Sequence, residues 1–528
     1  ALSNMLKNNN KLTAVFTGDG GASEGDFHEA LNVAAVWNLP VIFIVENNGY
    51  GLSTPSSEQF KCKQFSDKGI GYGIDAYTID GNNILEVYSK IKALKKELLD
   101  KPRPILLECM SFRMRGHEEA SGTKYVPKKL MDLWAKKDPV DNYESFLINS
   151  NVISKSYAKE LRQQIINEIN TAWRGAENSD ELIVSTENEI SDIYKTYHHK
   201  NIKTTSVIKK MRYVDAISDA LKLSMQKHDN LIIMGQDIAE YGGVFKVTDG
   251  FVDFFGKERV RNTPICESVI LSAGLGLSIG GYKSVIEMQF ADFVSSGFNA
   301  IVNNLAKTHY RWGENVDVVV RMPTGAGVGA GPFHSQSNEA WFTHTPGLKV
   351  VYPSTPSDAK GLLISSIEDP NPVMFFEHKA LYRSVEEDVC IDYYNIEIGK
   401  ANLICKGNHV SIISYGLGVH WALDVLKENP EISADLIDLR TLVPLDTETI
   451  INSVKKTGKA IVLHEDVMIG GFGADIVSII QDKCFEFLDA SVRRSASLDT
   501  PIPFSLKLED NFLAKKRFKQ DLINLINY

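Results

Sequence analysis

The chain has 528 residues, 43% hydrophobic and 23% charged, with a formal net charge of −10. That length suits three or four domains, and the composition is that of a globular protein, not a fibrous or disordered one. The mild acidic balance leaves no basic patch for nucleic acid, and no apolar run approaches membrane-spanning length.

No signal-peptide pattern stands at Ala1. Cys62, Cys109, Cys266, Cys390, Cys405 and Cys484 include no CxxC pair. They suit reduced thiols in a cytoplasmic setting better than a disulfide or zinc framework.

In chain order, Thr13 to Thr17 is a short apolar, β-branched run that ends in Gly18-Asp19-Gly20-Gly21. Phe27, Leu31, Ala34 and Ala35 recur at helical spacing, Pro40 breaks the helix, and Val41 to Val45 reads as a buried strand. Two parallel strands joined by that helix would bring both carboxyl ends to one sheet edge, where ligands bind in open α/β sheets. Asp19 and Asn48 would then offer two hard oxygens side by side, a pairing suited to octahedral Mg²⁺ holding a diphosphate. Glycines around Asp19 would let the backbone approach the phosphates. Taken singly, Asp or Asn beside Gly is a plain turn residue; the pairing at two strand ends sets these apart.

Residues 1–140 read as one α/β domain, and the polar start from Leu6 to Lys11 leaves no room for a preceding βα unit. The expectation is that this domain begins in its middle. A helical, charged linker region spans 141–207. A second α/β domain, 208–385, contains the strand Leu231 to Gly235, small residues from Ala273 to Gly280, and the strand Val373 to Phe376. A third, 395–528, alternates the strand Val410 to Ser414, an amphipathic helix and the strand Ala460 to Glu465.

The pairing of Gly-Asp-Gly with Asn47-Asn48 resembles the signature of thiamine diphosphate enzymes. The stretch GDGGASEGDFHEALNVAAVWNLPVIFIVENNGYGLSTP (18–55) resembles the α subunit of 2-oxo acid dehydrogenase E1 components. The runs MGQDIAEYGGVFKVTDG (234–250) and RNTPICE (261–267) resemble that family's β subunit. The chain therefore looks like an α–β fusion whose α part lacks its N-terminus. The resemblance implies an α/β thiamine diphosphate-binding, transketolase-like fold of parallel sheets flanked by helices, with a transketolase C-terminal-like domain.

By the same resemblance the cofactors are thiamine diphosphate and Mg²⁺. Gly18, Asp19, Gly20, Gly21, Asn48, Tyr50, Leu52, His117, Glu267, Gln289 and Phe293 would contact the thiamine cofactor. Asp19, Asn48 and the Tyr50 carbonyl would hold the metal. Glu267 would favour the imino tautomer of the aminopyrimidine and so promote loss of the thiazolium C2 proton; read alone, it is an acid at the start of an apolar helix. Phe293 could stack on the pyrimidine or serve only as core. His117, after Arg113-Met114-Arg115-Gly116, and His334, in GPFHSQS (331–337), would exchange protons with substrate. Ser366, Asp369 and Asn371 match a segment that binds a structural K⁺ in family members, with a solvated turn as the plain alternative.

Three departures stand out. The cofactor-binding Tyr-Arg pair that precedes Gly-Asp-Gly in the family is absent, Glu118 replaces a phosphorylatable Ser, and Ser121 replaces an Asp. The implied activity is oxidative decarboxylation of a 2-oxo acid, with acyl transfer to the lipoyl group of an E2 dihydrolipoyl acyltransferase. TPICE, HSQSNEAWFTHTPG and SSIEDPNPVMFFEHKALY look closest to branched-chain enzymes. Pyruvate and acetoin dehydrogenase E1 are the neighbouring readings, and a fragment that only dimerises or binds E2 is the non-enzymatic one. The implied partners are the lipoyl and subunit-binding domains of E2 and a second copy of the chain.

Overall fold

The computed structural model describes residues 1–118 and 120–528. The chain forms two compact units, Ala1–Asn188 and Glu189–Tyr528. Among the described residues no helix is long and apolar enough to cross a membrane.

In the first unit, β1 (Thr13–Gly18), α1 (Gly25–Val36), β2 (Val41–Asn47), β3 (Asp75–Asp80), α2 (Ile84–Asp100) and β4 (Pro104–Met110) alternate along the chain. The sheet order is β1-β2-β4-β3, and every pairing is parallel. The unbroken apolar run of β2 is buried throughout, as a strand covered on both faces requires. Ile42, Ile44, Ile105 and Leu107 from β2 and β4 meet Leu94 and Leu98 of α2 in the core. Strand β1 lies at the sheet edge, and Phe16 on it is 65% exposed. Helices follow, two of them capped by side chains. Asp138 caps α3 (Pro139–Asn149), and Ser154 caps α4 (Lys155–Glu177) through Tyr157 N–H.

The second unit carries two larger sheets. The first is built on β5 (Leu231–Gly235), β6 (Val260–Asn262), β7 (Lys283–Glu287), β8 (Val318–Thr324), β9 (Lys349–Val351) and β10 (Val373–His378), ordered β9-β10-β8-β7-β5-β6 and parallel throughout. Helix α5 (Glu267–Ile279) follows β6. A short strand from the last block, Thr441–Val443, adds antiparallel to the β9 edge. The last block forms a five-stranded sheet of β11 (Asn402–Cys405), β12 (Val410–Ser414), β13 (Ala434–Asp438), β14 (Ala460–Val467) and β15 (Arg493–Ser497). Its order is β11-β13-β12-β14-β15, with only β11 antiparallel among them. All strand carboxyl ends of the main parallel sheet therefore share one edge.

Candidate cofactor half-sites

In the first unit, the parallel register sets Gly18 opposite Glu46, so Asp19 and Asn48 leave the sheet at the same edge. Asp19 is fully buried, and neither carboxylate oxygen meets a donor at full hydrogen-bond geometry. Burial raises its pKa; the N–H groups of Asn48 and Gly20 and the Arg113 guanidinium pull the other way without prevailing. The Asn48 side-chain oxygen accepts from Tyr50 N–H at 3.1 Å, forming a turn that leaves a lone pair for a ligand.

Two loops make the cradle. A Cβ on Gly20 would sit 2.7 Å from the Gly51 Cα, so only glycine lets the Asp19 loop reach the Tyr50 hairpin. Leu52, at φ +59°, occupies the left-handed region, a strain that clusters at functional sites. Arg113 ties the cradle to the next loop. It donates to the Leu52 carbonyl and to Tyr125 Oη (3.1 Å), and its Nη1 lies 3.2 Å from His117 Nδ1. Ser121 Oγ donates to the Glu118 carbonyl at 2.9 Å and accepts from Glu118 N–H at 3.1 Å, closing the turn that follows His117.

Arg113 was not among the residues expected to form the site, nor was Glu108. Glu108, buried in β4, accepts from Asn47 Nδ2 (2.7 Å), Ser66 N–H (3.1 Å) and Thr78 Oγ1 (2.8 Å), which fixes the strand end from which Asn48 projects. A buried acid in an otherwise apolar strand, Ile105-Leu106-Leu107-Glu108, was the only signal available. The buried Asp19 carboxylate, whose oxygens meet no donor at full geometry, lies beside a glycine-lined approach and fits a divalent cation and the phosphates it carries.

In the second unit, Gln289, Phe293, His334 and Glu267 all follow strands that end at the common edge. Gln289 Nε2 donates to Asp237 Oδ2 at 3.1 Å, and Asp237 itself holds φ +60° after β5. His334 packs edge-on against Phe290 (4.9 Å, 89°) and Phe293 (5.5 Å, 75°), so the two aromatics and the imidazole form one cluster. Glu267 is the first residue of α5 and half-buried. Its carbonyl would lie 3.2 Å from a Cβ on Gly297, at the end of the 3₁₀ turn Ala291–Gly297 that carries Phe293. The aromatic and half-buried surroundings fit a flat heterocycle.

The segment expected to hold K⁺ is committed elsewhere. Ser366 Oγ donates to the Leu362 carbonyl, Lys349 Nζ pairs with Asp369 Oδ2, and Asp369 Oδ1 accepts from Asn371 N–H and Nδ2. Asn371 Oδ1 accepts from Lys195 N–H. An ammonium already neutralises the only carboxylate, so these side chains do not fit a cation site. Among the described residues no cluster of three or more His, Cys, Asp or Glu side chains is arranged to hold a metal ion.

Comparison with known proteins accords with this division. Residues 1–185 match the family model "Dehydrogenase E1 component". Residues 209–385 match "Transketolase, pyrimidine binding domain", and 399–517 match "Transketolase, C-terminal domain". The 2-oxoisovalerate dehydrogenase subunit beta of Bacillus subtilis (strain 168) is 43% identical over 308 residues, covering 57% of this chain and 94% of that protein. Its counterpart in Dictyostelium discoideum is 42% identical over 313 residues, covering 58% of the chain and 84% of that protein. The pyruvate dehydrogenase E1 component subunit beta of Bacillus subtilis (strain 168) is 43% identical over 299 residues, covering 56% and 92% respectively. A solved structure described as "Split gene transketolase, inactive beta4 tetramer" shares the fold at a TM-score of 0.50 and 21% identity, over 60% of this chain and 98% of that one.

The fold is thus that of the transketolase-like thiamine diphosphate proteins. Within that class the chain belongs to the E1 components of the 2-oxo acid dehydrogenases, with an E1 dehydrogenase segment and a β-subunit-type segment in one polypeptide.

Proposed function

We propose that the chain decarboxylates a branched-chain 2-oxo acid, using thiamine diphosphate and Mg²⁺, and passes the acyl group to the lipoyl group of an E2 acyltransferase. The observation that carries the chemistry is the His334–Phe290–Phe293 cluster at the sheet edge that also carries the Glu267 helix start.

Thiamine diphosphate, when bound, supplies a nucleophilic carbon and an electron sink for decarboxylation. Asp19 and Asn48 would offer side-chain oxygens, and Tyr50 its carbonyl, to Mg²⁺ and the diphosphate it carries. The Glu267 carboxyl exchanges a proton with a pyrimidine ring nitrogen. Gln289 and Phe293 orient that ring, one by hydrogen bonding and one by its apolar face. His334, held on edge by two aromatic rings, delivers a proton to the substrate's carbonyl oxygen. His117, whose Nδ1 lies 3.2 Å from Arg113 Nη1, is the first unit's own candidate for proton exchange. The exposed apolar residues around His334, with Phe333 at 73%, favour a greasy acyl chain.

Branched-chain preference is supported by the 2-oxoisovalerate relatives. The pyruvate dehydrogenase relative of equal identity keeps pyruvate as the second reading. The deciding experiment is CO₂ release from 3-methyl-2-oxobutanoate and from pyruvate by the purified chain supplied with thiamine diphosphate and Mg²⁺. The expected kcat/KM ratio is at least about 10 in favour of the branched acid, the scale on which a pocket discriminates by methyl groups. A ratio near or below one assigns pyruvate, and no release from either acid defeats the reading.

A further inference from the structure

The loop that carries His334 leaves β8 as Gly325-Ala326-Gly327-Val328-Gly329-Ala330-Gly331. Such a run has few side chains to pack, and its N–H groups have left the sheet; unsupported, it would not hold an imidazole in place. Gly325 N–H donates to the Gln336 carbonyl, and three further donors of the run go to two carboxylates of the C-terminal domain. Ala326 N–H donates to Glu465 Oε1 at 2.6 Å, Gly327 N–H to Glu509 Oε1 at 3.0 Å, and Gly329 N–H to Glu509 Oε2 at 3.0 Å. Beyond His334 the returning limb is held too. Ser337 Oγ donates to the same Glu465 Oε1 at 3.1 Å, and Gln336 donates through N–H and Nε2 to Asp292 Oδ1 at 3.2 and 3.0 Å.

Both carboxylates are nearly inaccessible, at 6% and 2% exposure. Burial opposes charge on Glu465, but His378 beside it and the donors above keep its pKa below the ordinary value. His378 Nδ1 accepts from Ala380 N–H at 3.2 Å, so its proton sits on Nε2 and is donated to Glu465 Oε2 at 2.7 Å. Phe504 closes the far side. Gly331, at φ +73°, would place a Cβ 2.3 Å from the Phe504 ring.

We infer that Glu465 and Glu509 are positioning residues for His334: the C-terminal domain sets the geometry of the catalytic loop through charge-assisted hydrogen bonds to its backbone. The kinetic part of this inference rests on the function proposed above; the anchoring itself does not. Glu509→Gln keeps the shape but removes the charge and turns an NH₂ toward the loop; with the amide oxygen at the Oε1 place Gly327 N–H keeps its acceptor, while Gly329 N–H exchanges a 3.0 Å bond for a 3.4 Å one.

Hydrogen–deuterium exchange of residues 326–337 and decarboxylation kinetics test it together. In Glu509→Gln, exchange at 327–331 should quicken about 10- to 100-fold, the worth of one hydrogen bond to a charged group. Elsewhere in the second unit exchange should match wild type. In the same variant kcat should fall at least about 10-fold, as expected when a reacting group is misplaced, while KM stays within about two-fold.

In a His334→Ala background Glu509→Gln should cost nothing further, because the group being positioned is gone. Ser337→Ala, which removes only the return-limb bond to Glu465, should give a smaller loss of the same kind and serves if Glu509→Gln does not fold. Unchanged exchange in both variants, or losses that multiply in the His334→Ala background, would overturn the inference. A wild-type chain that decarboxylates no 2-oxo acid would sink the proposed function, whereas quickened exchange would still uphold the anchor.

Discussion

At Asp19, burial and charge are in open conflict. Its carboxylate is inaccessible, its oxygens lack donors at good geometry, and burial lifts its pKa against the pull of nearby N–H groups. A divalent cation removes that penalty. Asp19→Ala should therefore weaken Mg²⁺-dependent binding of thiamine diphosphate at least about 100-fold, since ligand-shell losses reach that scale. Calorimetry with and without Mg²⁺ reads this, and equal affinity in variant and wild type would remove the metal assignment. Glu267 poses the complementary question. Glu267→Gln preserves shape and cofactor affinity but cannot exchange a carboxyl proton. The C2 proton of bound cofactor should then exchange about 10²–10⁴-fold more slowly; wild-type exchange would leave Glu267 as a helix-start acid only.

Strands decide the energetics of the second unit. On β8, Arg321 is fully buried with Glu287 on β7 (2.6 Å) and a bidentate Glu377 on β10 (2.7 Å twice). Tyr382 Oη donates to the same Glu377 at 2.7 Å. The parallel register sets Arg321 directly opposite Glu287, so three adjacent strands are pinned through one guanidinium. Two buried carboxylates would be left unneutralised by Arg321→Met, at a cost of about 3–5 kcal/mol. Replacing all three with apolar residues of similar volume should recover most of that loss. Denaturant midpoints of the single and triple variants test this, and a single variant as stable as wild type would contradict it.

At the scale of the whole molecule, buried groups of the last block contribute to the pH dependence of stability in opposite senses. Burial raises Asp438 and Asp466 to about 7 and lowers His464 to about 4. Between pH 4 and 7 the unfolded chain releases protons from both aspartates that the folded chain retains, so these groups lower stability as pH rises. From 6.5 down to 4 the unfolded chain protonates His464 while the folded chain refuses, so that group lowers stability as pH falls. The two trends oppose each other in one window, and wild type alone would hide them. Asp466→Asn should gain steadily on wild type in unfolding midpoint from pH 4 to 7 and hold level above it. His464→Gln should gain toward pH 4. A difference independent of pH in either variant would show that the group does not titrate as described.

Periodicity and strand-end residues were enough to place β1, β2, Asp19 and Asn48, because a βαβ unit is local and its register follows from one apolar run and one helix. The transketolase-like fold was legible only through resemblance, carried by motifs such as Gly18-Asp19-Gly20 with Asn47-Asn48 and RNTPICE (261–267). What the sequence could not announce was pairing across distance. Arg113 reaches Leu52, Glu108 reaches Asn47, Arg321 joins two acids on neighbouring strands, and Glu509 holds Gly327 from a different domain. The segment expected to hold K⁺ shows the same effect: Lys349, remote in sequence from Asp369, reaches it in the fold. Hydrophobic patterning encodes which face a residue buries. The partner of a buried charge is decided only when sheets and domains close upon one another, since desolvation makes that choice compulsory.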